Sequence, residues 1–125
     1  YKHLGRVNDP KMLRQLYATG NVVISTSLYE TLPGTIIEGQ AAGCVPVSFG
    51  RGGQADIIDH LENGYIAEYK SAQSIADGIS WALECGIDRK LLHESVRSRF
   101  ASDVVAQRYI ELFNRLLSER KQSSK

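Results

Sequence analysis

Three short runs of apolar, mostly β-branched residues, separated by helical patterns, constrain the fold of this chain most strongly. The runs are "NVVIST", "VPVSF" and "YIAEY", and the first two are apolar at consecutive positions, as expected of parallel strands covered on both faces. A fourth strand-like run, "YKHLGRV", opens the chain. Strands that alternate with helices predict an α/β fold in which a parallel sheet has flanking helices and right-handed crossovers.

Local signals predict where the first helices begin and end. Asn8 or Asp9 can cap a first helix, Pro10 suits its first position and Gly20 ends it. A second helix is predicted in "TIIEGQAAG", whose small residues allow close approach to a sheet, and a short third one in "ADIIDHL". About six helices are therefore expected around four strands.

The last part of the chain is predicted to be helical throughout. Apolar residues recur at helical spacing over 71–84, 88–100 and 103–120. We expect one domain over 1–120 and a disordered tail over 121–125.

Composition excludes several classes of protein. With 42% hydrophobic residues and a net charge of +1 over 125 residues, the chain lacks the low apolar content and high charge of disorder. Cys44 and Cys85 have no CxxC spacing and the three His are scattered, so neither a metal site nor a disulfide framework is predicted. No run approaches the roughly 20 apolar residues that span a bilayer. Reduced thiols predict a cytoplasmic protein.

The predicted sheet directs attention to three loops. In open α/β sheets, ligands bind beyond the carboxyl ends of the strands, where "RVNDP", "LYETLPG" and "GRGGQAD" fall. The second of these leads into a helix, whose first N–H groups can bind a phosphate. Gly34 would let the backbone approach a ligand, and Thr35 could add a hydroxyl. "GRGGQ" lacks the residues of a P-loop and the spacing of a dinucleotide fingerprint.

Two glutamates bracket that turn, and each has two interpretations. Glu38 would fall in the first turn or so of the helix, where it either complements the helix dipole or accepts hydrogen bonds from ribose hydroxyls. Glu30, at the end of a buried strand, is either an exposed loop residue or a polar contact to a ligand.

The order of these motifs resembles family 4 retaining glycosyltransferases, which have the GT-B architecture of two facing Rossmann-like domains. Glu30 and Glu38 have the family's seven intervening residues, and "AAGCVPV", "GGQADII" and "ENGYIAEY" follow in its order. The resemblance, which runs from about His3 to Leu83, implies a Rossmann-like donor-binding domain at the C-terminal end of such an enzyme. The "LPG" variant resembles the bacterial capsule and exopolysaccharide branch.

The resemblance implies a role for each site residue. Glu30 would lie at the catalytic centre and position the donor sugar by contacting the hydroxyls of that sugar. Glu38 would accept hydrogen bonds from the ribose hydroxyls. The amides of Leu32, Gly34 and Thr35 would face the sugar and diphosphate. Two further residues, Arg6 and Val7, would lie against the nucleobase.

The departures from the family pattern also have consequences. Pro33 removes one possible amide donor, and Asp56 replaces the usual Glu of the Gly-Gly segment. The acceptor-binding domain and the diphosphate-gripping Arg and Lys of the family would precede residue 1, so the chain is expected to be an inactive fragment on its own.

The implied reaction transfers a sugar from a UDP- or GDP-sugar to a saccharide or lipid-linked acceptor, with neither a cofactor nor a metal and without nucleic acid. Attachment to the inner face of the plasma membrane stays open. The alternatives are a sugar-nucleotide epimerase of the same architecture and a non-catalytic Rossmann-like nucleotide-binding module.

Overall fold

Three parallel strands form the central sheet in this computed structural model, which describes residues 1–123. The strands β1 (Val22–Ser25), β2 (Val45–Phe49) and β3 (Tyr65–Ala67) lie in the order β1-β2-β3. Val22 pairs with Val45, and Val47 pairs with Tyr65. The predicted α/β fold with a parallel sheet is therefore confirmed.

Helices flank the sheet in the same order along the chain as predicted. They are α1 (Pro10–Thr19), α2 (Gly34–Ala41), α3 (Gln54–Ile57), α4 (Ala72–Glu84), α5 (Arg89–Phe100) and α6 (Ser102–Ser123). The predicted start of α1 is confirmed, because the Asp9 side chain accepts from the Lys11 amide at 2.9 Å. Gly20 is the C-cap of the same helix, as predicted.

The core lies in two layers, one on each face of the sheet. On one face Val23 packs with Ile36 of α2 and Ile57 of α3. On the other, Val47 packs with Ala82 of α4. All five residues of β2 are buried, as predicted for a strand covered on both faces.

The approach of α2 to the sheet depends on a glycine. A Cβ on Gly39 would lie 2.7 Å from the Val23 side chain, closer than packed atoms come. The predicted use of small residues for close helix–sheet packing is therefore confirmed at this position.

The opening run is not a strand, which corrects the prediction of four strands. Residues 1–9 have no regular secondary structure, and Gly5 adopts a φ of +65°, which breaks an extended run. A strand also needs a hydrogen-bonded neighbour, and β1 pairs only with β2 within the described residues. Strand β1 is also less covered than predicted, because Ile24 is 43% exposed while its neighbour Val23 is buried.

The last helix, α6, extends to Ser123. The disordered tail predicted over 121–125 stays a prediction, and residues 124–125 lie outside the described part. Most of the apolar side chains on α6 are exposed, because the helix extends beyond the layers that cover the sheet. No helix in residues 1–123 combines the length and apolarity needed to cross a bilayer.

Candidate functional site

The segment Glu30–Thr35, which we call the glutamate loop, leaves the carboxyl end of the sheet and leads into α2. Glu30 is half-buried and forms a parallel bridge with Gly52. The Gly53 amide donates to the Glu30 carbonyl at 2.7 Å. The backbone of Glu30 is therefore held by residues 50–53, which we call the glycine loop.

Two glycines make that contact possible. A Cβ on Gly52, whose φ is +75°, would overlap the Glu30 carbonyl oxygen, and one on Gly53 would overlap the Thr31 carbonyl oxygen. The sequence suggested only a weak phosphate-loop likeness for "GRGGQ", whereas the structure uses it to support the glutamate loop. Nothing in the local pattern identifies this role, because it depends on a neighbour more than 20 residues away.

Amide donors are exposed at the start of α2. Its N-cap Pro33 is buried and provides no side-chain hydrogen bond. The Ile36 and Ile37 amides both donate to the Pro33 carbonyl, while the Gly34 and Thr35 amides have no acceptor among the described residues. A Cβ on Gly34 would meet nothing within 4 Å, so an anion has open access to these donors.

Leu32 points away from the core and is 56% exposed. It stands beside the exposed residues Thr31 and Gly34. The structure thus brings together Glu30, Leu32, Gly34 and Thr35 on one loop at the sheet edge. Their proposed contacts to a donor stay predictions.

Glu38 lies in the second turn of α2, as the fifth residue of a helix that begins at Gly34. It is exposed and lines a cavity of about 610 Å³ between α1, α2 and α5. The other lining residues are Pro10, Leu13, Arg14, Tyr17, Ala18, Ala41, Ala42 and His93. A carboxylate in a cavity of this size can accept hydrogen bonds from a bound hydroxyl ligand.

Tyr17 is a functional candidate that the sequence pattern did not reveal. Its ring packs against the core layer that contains Cys44, and its hydroxyl lies close enough to the side chains of Thr35 and Glu38 for both to influence its pKa. Burial raises the pKa of Tyr17 above its ordinary value of 10.0, and the charge of Glu38 raises it further. Local sequence could not identify the neighbours of Tyr17 on α2, because they depend on how the two helices pack.

Arg6 and Val7 are not brought to the Glu38 cavity. Arg6 is exposed, Val7 is half-buried, and neither lines that cavity. The predicted nucleobase contact of these two residues therefore stays a prediction.

Gln54 is another residue that the sequence pattern did not reveal. It is fully buried and donates from Nε2 to the Ser27 carbonyl at 3.4 Å, so it ties α3 to the segment before the glutamate loop.

No group of three or more His, Cys, Asp or Glu side chains is arranged to hold a metal ion in the part of the chain that the structure describes. The Asp56 carboxylate, which replaces the glutamate usual in the resembled family, is exposed at the start of α3.

Comparison with known proteins identifies the family. Residues 1–99 match the family model described as glycosyl transferases group 1, so the chain belongs to the group 1 glycosyltransferases. It is similar to an exopolysaccharide phosphotransferase of Streptomyces coelicolor, with 34% identity over 99 residues that cover 73% of this chain and 10% of the relative. It is also similar to an uncharacterized glycosyltransferase of Methanocaldococcus jannaschii, with 30% identity that covers 88% of this chain and 29% of that one.

Solved structures share the fold. The sucrose-phosphate synthase of Thermosynechococcus elongatus superposes with a TM-score of 0.77 at 23% identity, covering 94% of this chain and 30% of that one. The catalytic domain of starch synthase IV from Arabidopsis thaliana, bound to ADP and acarbose, gives a TM-score of 0.69 at 19% identity, covering 90% of this chain and 26% of that one. The fold is that of GT-B glycosyltransferases. The chain spans between 10% and 29% of the length of the two curated relatives it matches.

Proposed function

We propose that this chain is the nucleotide-sugar-binding part of a retaining glycosyltransferase of family 4. The observation that carries the proposal is the exposed start of α2, where the Gly34 and Thr35 amides have no acceptor among the described residues. This helix end stands between Glu30, at the sheet edge, and Glu38, in the cavity beside α1. A diphosphate bound there would have its sugar near the first glutamate and its ribose near the second.

The chemistry of transfer suits this arrangement. Breaking the bond to the anomeric carbon leaves positive charge on the sugar and adds negative charge to the departing nucleoside diphosphate. Fixed N–H donors aimed at the diphosphate stabilise that developing charge. The helix dipole acts in the same direction.

Each glutamate then has a separate role. Glu38 accepts hydrogen bonds from the ribose hydroxyls, since a carboxylate can accept more than one hydrogen bond, and Tyr17 lines the same cavity beside it. Glu30 positions the donor sugar, and its backbone is fixed by the glycine loop. The reaction that we propose uses neither a metal nor a cofactor.

The wider role that we propose is bacterial cell-surface polysaccharide synthesis, by an enzyme of the capsule and exopolysaccharide branch of the family. The donor is a UDP- or GDP-sugar, and the acceptor is a saccharide or lipid-linked saccharide bound by a further domain. The reaction takes place in the cytoplasm or at the inner face of the plasma membrane. The likeness to an exopolysaccharide phosphotransferase supports this proposal.

Titration of this chain with UDP and GDP, followed by amide chemical shifts, tests the ribose assignment. Glu38→Gln is expected to weaken binding of the recognised ribonucleotide about tenfold, because it removes a charged hydrogen-bond acceptor. The matched control is Glu94→Gln, which changes an exposed glutamate on α5.

The 2′,3′-dideoxy forms of the same nucleotides complete this test. Wild type should bind the dideoxynucleotides as weakly as Glu38→Gln binds the ribonucleotide. Glu38→Gln should bind the dideoxynucleotides no more weakly than wild type does. Equal ribonucleotide binding by wild type and Glu38→Gln would contradict the assignment.

A different measurement, made on the full-length enzyme, separates transfer from epimerisation. Transfer releases nucleoside diphosphate only when an acceptor is present, whereas epimerisation consumes the nucleotide-sugar alone.

A further inference from the structure

Two cationic side chains lie over one tyrosine ring at the carboxyl ends of β2 and β3. The Arg51 Cζ is 4.1 Å from the centroid of the Tyr69 ring, and the Lys70 Nζ is 5.3 Å from it. Phe49, the buried last residue of β2, packs edge-on against Tyr69 with the ring centroids 5.9 Å apart. The platform under the two cations is therefore anchored to the core.

Neither cation has a counter-ion in residues 1–123. No carboxylate there comes within ion-pair distance of Arg51 or Lys70, even though Glu68 is close in sequence. A guanidinium that lies over an aromatic ring makes no hydrogen bond to it through that contact, so its N–H groups remain able to donate to another partner. Arg51 also donates no hydrogen bond to any described residue.

The backbone of Arg51 is fixed on both sides. A Cβ on Gly50 would lie 2.5 Å from the Ile66 side chain, so that residue is held against β3. Gly52 forms the bridge to Glu30. The backbone of Arg51 consequently stands at the same sheet edge as the glutamate loop and the exposed amides of α2.

A diphosphate bound at that edge would carry more negative charge than the start of α2 can offset. The start of a helix supplies about half of a positive charge, whereas each of the phosphates of a nucleotide-sugar carries a full negative charge at neutral pH. A diphosphate at α2 would therefore keep an excess of negative charge unless a nearby side chain offset it.

We propose that Arg51, stacked on Tyr69 and assisted by Lys70, binds the diphosphate of the nucleotide-sugar. This inference rests on the proposed function, because it takes the start of α2 as the diphosphate site. An arginine can bind two phosphate oxygens at once through parallel N–H groups. As the donor bond breaks and negative charge grows on the departing diphosphate, that contact strengthens and favours departure.

Titration of this chain with inorganic pyrophosphate, UDP, GDP, uridine and guanosine, each followed by amide chemical shifts, tests the proposal. Arg51→Gln should weaken binding of pyrophosphate and of the recognised diphosphate about tenfold and leave binding of its nucleoside unchanged. Arg97→Gln, which changes an exposed arginine on α5, is the matched control and should change none of them. Lys70→Gln should have a smaller effect than Arg51→Gln.

The platform itself can be tested by changing Tyr69. Tyr69→Phe keeps an aromatic face and should bind pyrophosphate as wild type does, whereas Tyr69→Leu should lose part of the affinity. Equal losses in the two variants would contradict a positioning role for the ring.

The proposal would be overturned if Arg51→Gln bound pyrophosphate and the diphosphates normally, or if it weakened nucleoside binding as much. It would also be overturned if wild type bound no pyrophosphate. The ribose assignment predicts a different result, because Glu38→Gln should weaken binding of nucleosides and spare pyrophosphate. It fails if Glu38→Gln binds nucleosides as wild type does. The two variants therefore test the two ideas separately.

Discussion

The glutamate loop and the opening segment, residues 1–9, are both predicted to contact the nucleotide, yet the structure holds them very differently. The glutamate loop is tied to the glycine loop through the backbones of Glu30 and Gly53, and its Pro33 is buried. The opening segment is exposed except at Val7, and its hydrogen bonds are those that Asp9 accepts from the Lys11 and Leu13 amides at the start of α1. Packing within residues 1–123 therefore builds the sugar and diphosphate side of the proposed site, but not the nucleobase side.

The largest effect is expected from adding one methyl group where the two loops meet. Gly53→Ala should lower the free energy of unfolding by about 3 kcal/mol, because its Cβ would overlap the Thr31 carbonyl oxygen and force the backbone apart. Gly5→Ala in the opening segment is the control. Its φ is +65° but its surroundings are open, so it should cost only about 1 kcal/mol.

Urea unfolding followed by circular dichroism measures both variants. Equal losses in Gly53→Ala and Gly5→Ala would contradict the difference between the two regions.

A smaller effect, confined to binding, is expected at Gly34. Because a Cβ there meets nothing within 4 Å and alanine is the better helix former, Gly34→Ala should leave stability within about 0.5 kcal/mol of wild type or raise it. The same methyl group would occupy space that a bound phosphate needs, so nucleotide affinity should fall roughly tenfold. Unchanged affinity in a stable variant would show that the anion does not approach the start of α2.

The smallest effect concerns Tyr17, which links α1 to α2 beside the opening segment. Its pKa in the folded chain is raised above the ordinary value of 10.0 by burial and by the charge of Glu38. The folded state therefore holds the proton more tightly than the unfolded state. The stability that this provides is complete below pH 10 and is lost as the pH rises through the higher pKa of the folded chain.

Unfolding free energies measured from pH 9 upward should reveal that loss in wild type but not in Tyr17→Phe. Tyr29→Phe is the control, because Tyr29 is 72% exposed, and it should behave as wild type. A wild-type stability that stays constant through this range would contradict the proposed environment of Tyr17.

Local signals in the sequence were enough to predict much of the fold. Asp9, Pro10 and Gly20 mark the ends of α1 through neighbours a few residues away, and the continuous apolar run of β2 predicts burial on both faces. The order of Glu30, the Pro33–Gly34 turn and Glu38 predicted a loop at the sheet edge that leads into a helix.

The remaining features depend on distant contacts. "YKHLGRV" reads as a strand locally, but strand formation needs a hydrogen-bonded neighbour. The requirement for Gly52 and Gly53 comes from the Glu30 and Thr31 backbones, and the position of Arg51 comes from Tyr69. The contact between Tyr17 and Glu38 likewise arises only when α1 packs beside α2.

Mapping of amide chemical shifts across this chain during titration with UDP and GDP tests the central claim most directly. If the donor diphosphate binds at the start of α2, the largest shifts should fall on the Gly34 and Thr35 amides, with smaller ones at Glu38 and Gly53, and α6 should not respond. Shifts confined to α6 or to the opening segment, with Gly34 and Thr35 unchanged, would contradict it.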